Sequence, residues 1–211
     1  MKIKKGEWLL VAFNAIYVVA FTIYYLSIRN YEFLWYVLVL VIIALVVLVN
    51  LRKTNLDYLA LWGLSIWGLL HMLGGGLRIN GETLYKFRII EIVDRGGEFF
   101  ILKTDQLIHL YGFAVAAIVV YQLLAPKFKG EYRSKLVIFL AFIGSMGLGA
   151  LNEVVEFIAL VFLSQTGVGG VYNMGLDLVF NLFGALLGSF IGLFWHKKKI
   201  KDSNPKHFKK H

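Results

Sequence analysis

Residues 135–163 read KLVIFLAFIGSMGLGALNEVVEFIALVFL, an apolar run interrupted past its middle by Asn152, Glu153 and Glu156. A bilayer core about 30 Å thick needs roughly 20 mostly apolar residues per helix, and this run exceeds that length. Ionisable side chains inside a span are costly and by default mark a functional site. One stretch therefore predicts both a membrane-spanning helix and a polar centre within it. Five further runs have spanning length: Trp8–Ser27, Tyr31–Leu51, Asp57–Gly74, Asp105–Ala125 and Met174–Trp195. The fold class is all-α, a polytopic membrane protein whose single integral membrane domain (1–211) is a bundle of six transmembrane helices.

Composition supports this. The chain has 211 residues, 59% hydrophobic and 17% charged, with a mean hydropathy of +0.70. A soluble domain is nearer 45–50% apolar and about 25% charged, and at this length it has too little interior to hide the excess. The first apolar run follows MKIKK, but it is longer than the 7–15 residues of a signal-peptide core and no A-x-A-like site follows, so it is read as a mature helix. The absence of cysteine excludes disulfides, thiolate metal sites and cysteine nucleophiles.

A net charge of +9 does not predict a nucleic-acid partner, because the basic residues fall in short clusters between apolar runs. Their distribution orients the bundle instead. Of 22 Lys and Arg, 16 lie in the N-terminus, at Arg52–Lys53, in 127–135 and in the tail 196–211, against 6 in the alternate segments. Cytoplasmic segments carry such an excess, which predicts an N-in, C-in protein of the cytoplasmic (inner) membrane, with both termini on the cytoplasmic side. The basic tail reads as an anchor that touches anionic membrane lipids. The segment 75–104 then lies outside. Its runs YKFRIIEIV and EFFILKT around DRGG predict a hairpin, or a segment lying in the headgroup layer, that lids the outer face.

The polar residues within the spans are few: His71 in helix three; Asp105 and His109 in helix four; Asn152, Glu153 and Glu156 in helix five; Asp177 and Asn181 in helix six. Spacings of three or four put each pair on one helix face. At 1.5 Å per residue, His71, His109 and Asp177 lie roughly 5–7 Å below the outer helix ends, and Glu153 and Glu156 roughly 10–15 Å below. Four helices thus bring their polar groups to the outer half of the membrane, with Asp105 at the rim. Two imidazoles and several carboxylates form a ligand set for one or two divalent cations, although no HExxH or paired ExxH motif is present. The same groups suit a proton or cation relay, and the plainest alternative is a buried hydrogen-bond network that fixes helix register.

Gly184, Gly188 and Gly192 along helix six, and Ser145 and Gly149 along helix five, follow the small-xxx-small pattern of close helix packing. The external turn SQTGVGGVY contains Gly167, Gly169 and Gly170, which permit unusual backbone angles. Tyr172 sits beside it as a supporting polar residue.

HMLGG at 71–75, DQLIHLYGF at 105–113, GALNEVVEF at 149–157 and TGVGGVYNMGLDLVFNLFGALLG at 166–188 resemble the signature blocks of the YjdF-like family of predicted bacterial inner-membrane proteins. The last block and the D-x3-H of helix four are also similar to the VanZ-like proteins associated with glycopeptide resistance. The resemblance implies a polytopic membrane protein and, by analogy with VanZ, points toward envelope lipids or lipid-linked wall precursors.

The leading expectation is a membrane-embedded, metal-dependent enzyme acting on a lipid or lipid-linked substrate in the outer leaflet. His71, Asp105, His109 and Asp177 would hold the divalent ion, and Glu153 and Glu156 would serve as the catalytic carboxylates. Asn152, Asn181 and Tyr172 would support them, with Gly149, Gly184 and Gly188 closing the helix contacts. A proton- or cation-coupled transporter or lipid-handling protein built on the same carboxylates is the alternative, and a structural or sensory membrane protein is the third.

Overall fold

The computed structural model describes residues 4–96, 99–129, 133–162 and 169–203. Six helices follow in chain order: α1 (Lys5–Ser27), α2 (Tyr31–Thr54), α3 (Tyr58–Gly76), α4 (Thr104–Leu124), α5 (Arg133–Phe162) and α6 (Val171–Ser203). All six are long and apolar enough to cross a membrane, so the chain is an all-α polytopic membrane protein. The end of the fifth predicted span at Leu163, the glycine at 167 and the tail beyond 203 lie outside the described residues.

Caps set several boundaries. The Asn30 side chain accepts from the Phe33 amide and the Asp57 side chain from the Ala60 amide, each satisfying a backbone donor that a helix start leaves open. Asp57 does more at the end of the bundle where both termini lie. Its carboxylate also accepts from Gln122 Nε2 at 2.7 Å and Trp195 Nε1 at 2.7 Å, which joins α3 to α4 and α6. Nearby, Arg52 pairs with Glu7 and ties α2 to α1.

The bundle is built around α4, whose buried residues run from Asp105 through His109 and Phe113 to Tyr121. α4 and α6 meet backbone to backbone. A Cβ added to Gly184 would stand 2.2 Å from the Leu110 carbonyl oxygen, and one added to Gly188 would stand 2.0 Å from that of Ala114. Only glycine permits this approach, so Gly184 and Gly188 pack as the sequence predicts. α5 joins them through the Ser145 hydroxyl, which donates to the Phe113 carbonyl at 2.7 Å. α1 and α2 are peripheral and leave most of their surface exposed. α1 attaches through tyrosines, Tyr25 donating to the Met72 carbonyl at 2.6 Å and Tyr24 to that of Gly76 at 2.9 Å, and α2 through Phe33, which stacks on Tyr25 and Tyr85.

The segment between α3 and α4 forms the lid. β1 (Arg78–Ile79) and β2 (Glu82–Thr83) make a short hairpin across Asn80 and Gly81, both at positive φ, as a two-residue type I′ loop requires. β3 (Arg88–Asp94) pairs antiparallel with β4 (Phe100–Lys103), so the longer predicted hairpin is present. Between β2 and β3, a single turn of 3-10 helix at Leu84–Lys86 drives Tyr85 down into the bundle, where it is buried against Phe33 and Gly74.

Candidate functional site

The residues around β4 and the start of α4 position the outer edge of the site. Leu102 has a φ of 84°, a strained value for a residue with a Cβ. Gln106, fully buried, holds this turn: its Oε1 accepts from the Leu102 amide at 2.7 Å and the Lys103 amide at 3.0 Å, while its Nε2 donates to the Phe100 carbonyl at 2.9 Å. The turn aims Lys103 inward, and its ammonium donates to Asn173 Oδ1. Asn173 in turn donates to Asp105 Oδ2 at 2.8 Å and to Asp177 Oδ2 at 2.5 Å. A single amide thus links the lid, α4 and α6.

His109 stands at the centre and is 1% exposed. Asn181 Nδ2 donates to Glu153 Oε1 at 3.2 Å, which makes its Oδ1 the acceptor facing His109 Nδ1 at 3.1 Å. Glu153 Oε1, a second acceptor, lies 3.3 Å from the same nitrogen, so Nδ1 carries the hydrogen in the neutral ring and Nε2 presents a lone pair. Nε2 lies 3.6 Å from Asp105 Oδ1 and 3.8 Å from Glu156 Oε1. Both separations are too long for hydrogen bonds. They match two co-ligands of one ion, which lie roughly 3.4–3.8 Å apart for bonds of about 2.1–2.2 Å at tetrahedral to trigonal angles. Glu156 Oε1 also accepts from Asn152 Nδ2 at 2.8 Å.

Asp105, Glu153, Glu156 and Asp177 are all buried. Two triads, Asp105–His109–Asp177 and Glu153–Glu156–Asp177, each bring one ligand atom per residue within 4.8 Å of the others. Among the described residues, His109 Nε2, Glu153 Oε2 and Asp177 Oδ1 have no hydrogen-bond partner. Buried polar atoms in that condition are few in native proteins, and here three belong to the two triads.

The remaining predicted residues fall in different places. Asp105, expected at the rim, is 3% exposed and sits inside. His71 is in neither triad; its ring centroid is 6.0 Å from that of His109, and its Nδ1 is 2.5 Å from the Tyr85 hydroxyl. That hydroxyl also donates to the His71 carbonyl at 3.1 Å. Burial holds the Tyr85 phenol well above its ordinary range, with Asp105 and Glu156 adding to the effect, so it stays protonated. Tyr172 is 72% exposed and does not enter the site; the next residue, Asn173, does. Gly149 leaves room for the Asn181 amide, since a Cβ there would approach Nδ2 to 3.0 Å. Gly169, at φ +104°, abuts Asn173 in the same way, as the glycine-rich turn suggested.

Lys103, Gln106, Asn173 and Tyr85 carry site roles that the sequence reading missed, and one of the missed residues had a signal. Asn173, Asp177 and Asn181 are spaced by four along α6, so one face carries all three. On α2, the Tyr36 hydroxyl is a buried polar atom with no hydrogen-bond partner among the described residues.

The fold and this cluster define a polytopic membrane protein with a carboxylate and imidazole centre buried within its helices. The chain belongs to the family described as predicted membrane proteins (DUF2238), which matches residues 9–198. That match establishes a membrane protein and assigns no activity; the YjdF-like and VanZ-like names are not part of it. No curated protein and no solved structure matches the chain.

Proposed function

We propose that this protein is a membrane-embedded, divalent-cation-dependent enzyme acting on a lipid or lipid-linked substrate of the outer leaflet. One observation carries the reading: His109 is held by Asn181 so that an unpartnered Nε2 faces Asp105 and Glu156 at co-ligand distances. A hydrogen bond to the far nitrogen is how metal-binding histidines are fixed in tautomer and orientation. Asp105, His109 and Asp177, with Glu156 beside them, would hold a cation that polarises a substrate oxygen and activates water. Asn173 and Lys103 would meet an anionic group entering from the lid. His71 hydrogen-bonds Tyr85 and serves to dock the lid.

Two further features support a lipid substrate approached from outside. The excess of Lys and Arg at the opposite end supports an external lid. β3 exposes Ile89, Ile90 and Ile92, and Phe87 precedes them, an apolar edge suited to the headgroup layer. Transport is disfavoured by the α4–α6 contact, where glycine against backbone leaves no lumen between those two helices beneath the cluster.

The test places the full chain in nanodiscs made from a total bacterial lipid extract and follows lipids and headgroups by mass spectrometry with and without Mn2+ or Zn2+. Cation-dependent conversion, lost in His109→Ala, is the expected result. A protein that binds neither ion and converts nothing would make the cluster a structural network.

A further inference from the structure

We propose that the centre holds two divalent cations side by side, with Asp177 shared between them. The proposal rests on the cation-dependent reading above and extends it to the number of ions and the residue that joins them. The ligand atoms divide into two triads, Asp105–His109–Asp177 and Glu153–Glu156–Asp177, and Asp177 is the only member of both. Each triad also has its own buried atom without a hydrogen-bond partner among the described residues: His109 Nε2 in the first and Glu153 Oε2 in the second. The shared residue supplies the third, Asp177 Oδ1, while its other oxygen accepts from Asn173. One ion in the first triad would leave Glu153 Oε2 unanswered, and one in the second would leave His109 Nε2 so.

Charge favours the same count. The cluster contains four buried carboxylates, Asp105, Glu153, Glu156 and Asp177, in a region where unpaired charge is expensive. One divalent ion with the Lys103 ammonium, which touches the cluster through the Asn173 amide, leaves one carboxylate unanswered; two ions answer all four and leave the Lys103 charge for an anionic substrate. With one nitrogen and otherwise oxygen donors, the set suits hard or borderline first-row ions such as Mn2+ or Zn2+. Paired ions roughly 3.5–4 Å apart are the arrangement that clamps both the attacking and leaving oxygens of a displacement, which narrows the substrate class toward phosphoryl esters.

The experiment titrates the nanodisc-embedded full chain with Mn2+ and with Zn2+, and records the electron paramagnetic resonance spectrum of the Mn2+-saturated protein. The expected result is two ions per chain and an exchange-coupled Mn2+ spectrum. In Asp177→Asn, at most one ion should remain, with the six-line spectrum of an isolated Mn2+. Saturation of the parent at one ion with an isolated-ion spectrum overturns the paired centre and leaves the cation-dependent reading standing. No bound ion of either kind removes both. If the variant does not fold, the parent's stoichiometry and spectrum still decide.

Discussion

Asn181 and Glu153 together hold His109 Nδ1: Asn181 Oδ1 takes it at 3.1 Å because its Nδ2 is committed to Glu153 at 3.2 Å, and Glu153 Oε1 lies 3.3 Å from the same nitrogen, which leaves Nε2 to face Asp105 and Glu156. Removing that amide should leave the imidazole in place and lose its orientation. Groups that orient metal-binding histidines are typically worth 10–100-fold in affinity. Asn181→Ala is therefore expected to weaken Mn2+ binding by about that factor, as read by titration, while the protein still purifies as a folded species. An unchanged affinity would mean that His109 does not depend on Asn181 for its alignment.

The α4–α6 contact predicts a sharp difference between glycines of one helix. Gly188→Ala puts a methyl 2.0 Å from the Ala114 carbonyl oxygen, and overpacking of this kind costs about 1–3 kcal/mol. Gly175→Ala, where nothing lies within 4 Å of the added carbon, should leave stability unchanged or raise it. Thermal melts in one detergent compare the two, and equal melting temperatures would refute the packing account.

Tyr85 docks the lid on α3. Tyr85→Phe removes the hydroxyl that meets His71 Nδ1 and donates to its carbonyl, a loss of about 1–3 kcal/mol for the buried groups left behind. Hydrogen exchange should then quicken at residues 84–94 and stay slow in the cores of α4 and α6. Uniform quickening across the bundle would place Tyr85 in the global core instead.

Asp57 predicts a pH dependence whose sign follows from its partners. Burial alone would raise its carboxyl, but hydrogen bonds from Gln122, Trp195 and the Ala60 amide, with Lys199 nearby, outweigh that and hold it below the ordinary range. A depressed carboxyl adds stability that is fully present above the unfolded value near 3.9 and is lost as pH falls through the folded one. The parent should therefore melt higher than Asp57→Asn from neutral pH down to about pH 5. That gap should close in more acidic solution. A gap that widens on acidification would contradict the assignment.

Topology is checked by reporters. A reporter at the C-terminus should read cytoplasmic and one inserted at Gly81, the tip of the short lid hairpin, should read external. The reverse result would move the site to the inner leaflet.

The sequence carried the spans because length and hydropathy are all that a bilayer demands of them. It also placed Glu153, Glu156, His109 and Asp177 in the same half of the bundle, since rise per residue converts position into height. Height leaves azimuth open. Tyr172 and Asn173 are one residue apart and so point about 100° apart around α6, and only the docking of α6 on α4 settles that Asn173 faces inward. The polar side chains of the lid were hidden differently. Lys103 and Gln106 act through a turn whose geometry, with Leu102 at positive φ, has no motif to announce it. The Asn80–Gly81 hairpin did have one, the dipeptide favoured by type I′ loops.

The glycine contacts between α4 and α6 also bear on how the molecule moves. At Gly184 and Gly188 no side chain stands between the two backbones to change rotamer, so α4 and α6 are held there as a single beam. That beam carries Asp105, His109, Asn173, Asp177 and Asn181. Glu153 and Glu156 ride on α5 and Tyr85 on the lid, so the parts free to shift against the beam are a pair of carboxylates on one side and a cover on the other. The cover is pinned by Tyr85 on His71 at one point and by Lys103 on Asn173 at another.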